Sequence, residues 1–174
     1  VISGGDGADT ITGGNGADTI DGGTGADTIS LAESVSAIDS VVYLQGDGSA
    51  AGVAGATFTG YDVVTGFKLG TDTVDVSGTA GFTAEQVVKS SAATLASNDL
   101  TDDDFANVDK VVNFINGSAV AAAVAATEID AVAITFSDFT AVYYVDNAAD
   151  APIIAGEVEL LGTFDAVLTA TELV

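Results

Sequence analysis

The side chains of this chain that could do chemistry are almost all carboxylates. There are 26 Asp plus Glu against three basic residues, Lys68, Lys89 and Lys110, and there is no arginine, histidine or cysteine. That inventory removes zinc-protease motifs, Ser-His-Asp triads and thiol chemistry. Carboxylate-only glycoside hydrolysis needs one distinguished acidic pair, and no pair stands out here. Hard-oxygen metal coordination remains, and the spacing of the aspartates is specific for it. Gly4-Gly5-Asp6-Gly7-Ala8-Asp9-Thr10-Ile11-Thr12 recurs as Gly13-Gly14-Asn15-Gly16-Ala17-Asp18-Thr19-Ile20-Asp21. It recurs again as Gly22-Gly23-Thr24-Gly25-Ala26-Asp27-Thr28-Ile29-Ser30. Each copy reads G-G-x-G-x-D-x-U-x, where U is a large apolar residue. Three consecutive matches with isoleucine always in the same slot separate the pattern from a Gly/Asp-rich linker.

Each position has its own physical reason. The glycines admit positive φ and carry no Cβ, so carbonyl oxygens can turn toward one point. The aspartate adds a carboxylate to that ring of oxygens. Flexible coordination of six to eight oxygens at about 2.3–2.6 Å suits calcium better than magnesium. The candidate ligands are therefore Gly4, Asp6 and Asp9, then Gly13, Asn15 and Asp18, then Gly22, Gly23, Thr24, Gly25 and Asp27.

The elements that must position them are short. Each Thr-Ile-x triplet is β-prone and offers one apolar side chain to a stacked core. The whole arrangement resembles the RTX (repeats-in-toxin) calcium-binding family, exported by type I secretion. The resemblance implies a mostly β fold: a right-handed parallel β-roll in which two copies complete one turn and calcium sits between loops stacked on the same side. Carried onto this sequence, the loop of Asp9 stacks on the loop of Asp27 with one ion between them. Asp18 then faces the other side, and its partner lies either before Val1 or after Ser30. Val1-Ile2-Ser3 fits the tail of an earlier copy, without the features of a signal peptide, so a longer parent chain is expected. Downstream, Ile38 keeps the nine-residue phase from Ile29, while Leu31-Ala32 replace the glycine pair and Ser36 the aspartate. Residues 31–39 are read as a degenerate capping turn, with Glu33 a compensating ligand opposite Asp18. This reading divides the chain into a roll over 1–39 and a β-rich carboxy-terminal domain over 40–174.

In that second part, Ser40–Leu44 reads as a strand and 45–55 as a Gly/Ala-rich loop. Residues Tyr61–Ser77 alternate around a turn and look like the D-x-V-x-x-F-x-x-G-x-D-x-U-D segment that follows RTX repeats. Asp62, Asp72 and Asp75 there are either further calcium ligands or solvated turn aspartates. Thr101 before Asp102, Asp103 and Asp104 predicts a helix start, more as a cap than as a metal cluster. Phe105, Val108, Val112 and Ile115 form its apolar face and Gly117 its end. A second helix is expected over Ala119–Ala126. Strands are expected over Ala131–Phe136, Phe139–Val145 and Val158–Phe164. The resemblance also implies a secretion signal within the last several dozen residues.

The net charge of −23 excludes attraction to nucleic acid or anionic lipid. No apolar run approaches the roughly 20 residues needed to span a bilayer, so membrane insertion is not expected. Hydrophobic residues at 48% and a mean hydropathy of +0.45 oppose disorder, so the chain folds once its self-repulsion is countered. Calcium is the expected cofactor, and an ion cancels two charges where carboxylates crowd. Two functions fit. One is a non-enzymatic, calcium-dependent module of a secreted bacterial surface layer, fibre or adhesin, partnered by calcium, the type I secretion machinery and, in a lattice, by copies of itself. The other is the non-catalytic tail of an extracellular hydrolase such as a metalloprotease or lipase.

Overall fold

The computed structural model describes residues 1–44, 46–78, 82–88, 100–117, 129–146, 152–169 and 171–174, with the backbone alone for 82–88, 129 and 130. Eleven strands lie in these residues. β1 (Ile2–Asp6), β3 (Thr19–Thr24), β5 (Ser40–Val42) and β7 (Thr73–Asp75) form a parallel four-stranded sheet in that order. β2 (Thr10–Thr12), β4 (Thr28–Ser30) and β6 (Asp62–Thr65) run parallel to one another in the second sheet. That sheet continues through β11 (Val158–Phe164), β10 (Thr140–Asp146), β9 (Ile129–Thr135) and β8 (Phe82–Val88). From β1 to β7 the chain enters the two sheets alternately, which is the expected β-roll. The carboxy-terminal hairpin β9–β10–β11 is antiparallel, and β11 joins the roll by pairing in parallel with β6.

The isoleucine of each repeat explains why strands this short hold. Ile11, Ile20 and Ile29 are all buried between the sheets, and Val41, Val64 and Val74 take the same inward slot further along. Their registers form two rows, Ile2–Ile20–Val41–Val74 and Ile11–Ile29–Val64. Burying one such side chain fully is worth about 1.5–3 kcal/mol, and each three-residue strand contributes one. Ile38, expected to hold the phase, is 64% exposed, and Val41 fills the slot instead. Residues 31–39 carry three residues more than a nonapeptide loop needs, and the next inward position moves by three. The roll therefore runs on past residue 39: β5 pairs with β3 and β6 with β4, so both sheets cross the 39/40 division.

Strands β9 to β11 are buried on both faces. Ala131, Ala133, Val142, Tyr144, Leu161 and Phe164 complete the core of the roll. The alternate residues Val132, Ile134, Ala141, Tyr143, Val145 and Leu160 face a second core built with helix α1 (Val108–Gly117). Burial on both faces accounts for the nearly continuous apolar runs in these strands. The expected helix arrives in two pieces. A 3-10 turn over Asp102–Asp104 follows Thr101, and α1 starts after Asn107, whose side-chain oxygen accepts the Lys110 amide at 3.1 Å. The buried face becomes Val108, Val111, Phe114 and Ile115, with Phe105 and Val112 packed at its margin. The Asp cluster caps and ties: Asp104 accepts from the Thr101 amide and pairs with Lys110 at 3.0 Å, and Asp102 accepts from Ser137. The expected strands in 129–164 form with small shifts of boundary, strand β8 was not anticipated, and the helix expected over 119–126 lies outside the described residues.

Candidate metal centre

The turns between strands stack in two columns, one on each side of the roll. The first holds the turn before Asp9, the turn before Asp27 and the long loop 43–61 that leads into Asp62. The second holds the turns that end at Asp18, Asp39 and Asp72. In each column the carboxylate of one level accepts the backbone N–H of the aspartate above it. In the first, the Asp9 amide donates to Asp27 Oδ1 at 2.8 Å and the Asp27 amide donates to Asp62 Oδ1 at 2.8 Å. In the second, the Asp18 amide donates to Asp39 Oδ1 at 2.9 Å and the Asp39 amide to Asp72 Oδ1 at 3.1 Å. Each aspartate carbonyl in turn accepts from the residue that follows the next aspartate, as in Thr28 to Asp9 and Thr73 to Asp39, both at 2.9 Å. The middle members, Asp27 and Asp39, are thus held at both their amide and their carboxylate.

What the ladders leave over is the informative part. Asp27, Asp39 and Asp62 are all but fully buried, and the second carboxylate oxygens of Asp9, Asp27, Asp39 and Asp62 are buried with no hydrogen-bond partner. An unpartnered buried carboxylate oxygen is costly unless a cation meets it. Burial pushes the Asp62 carboxyl up to about 7, against the Asp27 amide that favours its charged form, and the Asp27 carboxylate adds to the rise. Burial likewise raises Asp27 and Asp39. The buried Tyr43 hydroxyl lies beside Asp62 and has no well-formed hydrogen bond of its own.

Glycine makes the close approach possible. A Cβ on Gly22 would stand 2.4 Å from Asp27 Oδ2, and one on Gly4 would stand 2.4 Å from the Gly22 carbonyl oxygen and 2.8 Å from Asp9 Oδ2. A Cβ on Gly23 or Gly25 would come within 2.2 Å of the carbonyl of Gly5 or Gly7. The first two levels of the first column are therefore lined by glycine carbonyls and aspartate carboxylates with nothing larger between. Gly22→Ala is expected to cost about 1–3 kcal/mol, because the Asp27 carboxylate must move from its place. The denaturant midpoint with and without calcium measures this.

Other expected site residues fall differently. Asp6 accepts from the Thr24 hydroxyl at 3.0 Å, and Asn15 accepts from the Ser34 amide and hydroxyl at 2.9 Å, so these side chains stitch neighbouring turns together at the surface. Gly13 sits against Ile20 and Asp18. In the turn stacked under that of Asp18, it is Asp39, which the motif does not mark, that accepts the Asp18 amide, while Glu33 reaches the Gly16 amide of the same upper turn. Glu33 also pairs with Lys68 at 2.9 Å and accepts from the Ala37 amide at 2.5 Å and the Gly16 amide at 3.3 Å. The Lys68 ammonium holds its carboxyl below the usual range. Asp72 accepts from the Asp39 and Lys68 amides with its two oxygens, and Asp75 closes a turn onto Ser77.

Among the described residues no three acidic side chains converge on one point. An ion between stacked turns would thus draw on one or two carboxylates and otherwise on carbonyl oxygens, a donor set that fits calcium. Residues 1–29 match the family model described as RTX calcium-binding nonapeptide repeat (4 copies). No curated protein matches the chain. Among solved structures, the AlgE6R3 subunit of the Azotobacter vinelandii mannuronan C5-epimerase aligns over 99% of this chain and 71% of that one, at 22% identity and a TM-score of 0.49. Residues 1–29 are thus RTX calcium-binding nonapeptide repeats, with their isoleucines turned inward and their aspartate turns stacked.

Proposed function

We propose that this chain is a calcium-dependent structural module of a secreted bacterial surface protein, a surface layer, fibre or adhesin, which orders when it meets extracellular calcium. The observation that carries this reading is the set of four buried carboxylate oxygens without partners, spread over both turn columns. Without cations these turns hold like charges close together in surroundings that solvate them poorly. Extracellular calcium modules have dissociation constants near 10⁻⁴–10⁻³ M, far above free cytosolic calcium, so the turns stay open inside the cell and close outside. Type I secretion, which takes unfolded chains, is consistent with that order of events. Asp9, Asp27, Asp39 and Asp62 are the proposed carboxylate ligands, with carbonyl oxygens of the glycine turns beside the first two.

The test is circular dichroism of the whole chain during a calcium titration, with magnesium alongside. A cooperative gain of β signal near millimolar calcium and little with magnesium is expected. A spectrum unchanged between excess chelator and saturating calcium would overturn the reading.

A further inference from the structure

The two columns are not equivalent. In the first, all three carboxylates, Asp9, Asp27 and Asp62, keep a buried oxygen with no partner, and neither described lysine makes an ion pair with them. In the second, Asp39 also keeps a buried unpartnered oxygen, but the last level is chemically closed. Asp72 has both oxygens occupied, by the Asp39 amide at 3.1 Å and the Lys68 amide at 2.8 Å, so it needs no counter-ion for hydrogen bonding. The Lys68 ammonium reaches back from the 66–72 turn to Glu33 in the 31–39 turn at 2.9 Å. The Glu33 side chain has no solvent-exposed surface, while Lys68 keeps about a third of its own. Glu33 also accepts the Gly16 amide from the turn above, so one carboxylate spans three successive levels of this column. Asp39 has Asp72, Glu33 and Asp18 as charged neighbours, and Lys68 is the single cationic side chain paired within this group in the described residues.

We propose that Lys68 is the resident cation of the lower second column: it clips the 31–39 turn to the 66–72 turn through Glu33 without metal, so this end of the roll is ordered before calcium arrives. The inference rests on the calcium reading above and refines it. A tethered ammonium is present at every calcium concentration, and its local concentration is set by the chain and not by the medium. It supplies one positive charge where a calcium ion would supply two, and one suffices because backbone amides already saturate Asp72. Among the described residues, the unpartnered oxygens of the first column have no such substitute. The roll then has a metal-independent clip between the 31–39 and 66–72 turns of the second column, and a first column whose three aspartates wait for metal.

Amide hydrogen exchange on the full chain across a calcium titration tests this. In chelator, the amides of Asp39, Lys68 and Thr73 should exchange at least tenfold more slowly than those of Asp9, Asp27 and Thr28, and calcium should slow the second group. Lys68→Met should remove the difference in chelator. The pair Lys68→Met with Glu33→Gln, which removes both charges, should recover most of the lost protection; recovery identifies charge compensation, whereas a purely steric role for Lys68 would leave the double variant as unprotected as the single one. Both groups gaining protection at the same calcium concentration, or Lys68→Met matching the unaltered chain, would overturn the inference and leave the calcium reading standing. Full protection of every amide in chelator would overturn both.

Discussion

Asp27→Ala will raise the calcium concentration at the folding midpoint by roughly ten- to a hundredfold, the largest single-residue effect expected in the roll. Asp27 is the middle member of the first column. Its carboxylate accepts the Asp9 amide, its own amide is held by Asp62, and its second oxygen is buried without a partner. Truncation leaves the Asp9 amide without its acceptor and takes a proposed ligand from the levels above and below. A hydrogen bond to a charged group contributes about 1.5–3 kcal/mol, and each 1.4 kcal/mol is a factor of ten in binding. Asp6→Ala is the comparison, because Asp6 gives up only an exposed hydrogen bond to Thr24. Its midpoint should move less than threefold in the same titration.

Without calcium, acidification from about pH 8 to pH 5 will stabilise the fold, the reverse of ordinary acid denaturation. The carboxyl of Asp62 sits at about 7 in the folded chain because burial removes its hydration, against an unfolded value near 3.9. The folded state therefore takes up the proton first. Its advantage is complete below about pH 4 and is lost as the pH rises through about 7. At 1.36 kcal/mol per unit the upper limit is about 4 kcal/mol, less whatever Asp27 shares of the same proton. Asp27 and Asp39 are raised in the same direction. Glu33 works against them, since Lys68 lowers it and its contribution is lost as the medium becomes acidic enough to protonate it. With calcium saturating, the sign reverses, because the ion competes with protons for the same oxygens. Denaturation curves of metal-stripped and calcium-loaded protein at pH 5, 6, 7 and 8 should slope in opposite directions. Asp62→Asn should flatten the metal-free series, and an unchanged slope in that variant would show that the proton sits elsewhere.

The parts of this architecture legible in the sequence are those fixed by local repetition. The nonapeptide spacing places Ile11, Ile20 and Ile29 inward and the turn of Asp9 against that of Asp27, because each depends only on residues a fixed number of positions apart. The carboxy-terminal strands were legible from apolar runs. What failed was whatever depends on loop length. The 31–39 turn lacks the glycine pair and carries extra residues, so Ile38 took the phase on paper while Val41 takes it in the fold, and Asp39 escaped notice as the level below Asp18. Glu33 reads from the sequence as a compensating ligand opposite Asp18, but its ammonium partner lies thirty-five positions away in a turn whose place in the stack no local pattern reveals. Asp62 stood out by motif; its position as the third level under Asp27 follows only once the loop 43–61 is known to leave and return to the same column.

The pairing of β6 with β11 joins residues a hundred positions apart, Asp62 beside Gly162. Closing a loop of that size costs conformational entropy before any contact offsets it, which places this pairing among the slow contacts of the described residues. The amino-terminal levels of the roll, in contrast, close over eighteen to twenty-one positions, and the pairings of β4 with β6 and β5 with β7 over thirty-three to thirty-five. Once β11 is in place, β6 presents a finished strand edge, and every later level is a shorter step onto an existing one. Order should therefore spread from the carboxy-terminal hairpin toward Val1, like a zipper whose slider is fitted at the far end, and the calcium turns nearest the amino terminus should be the last to close and the first to open.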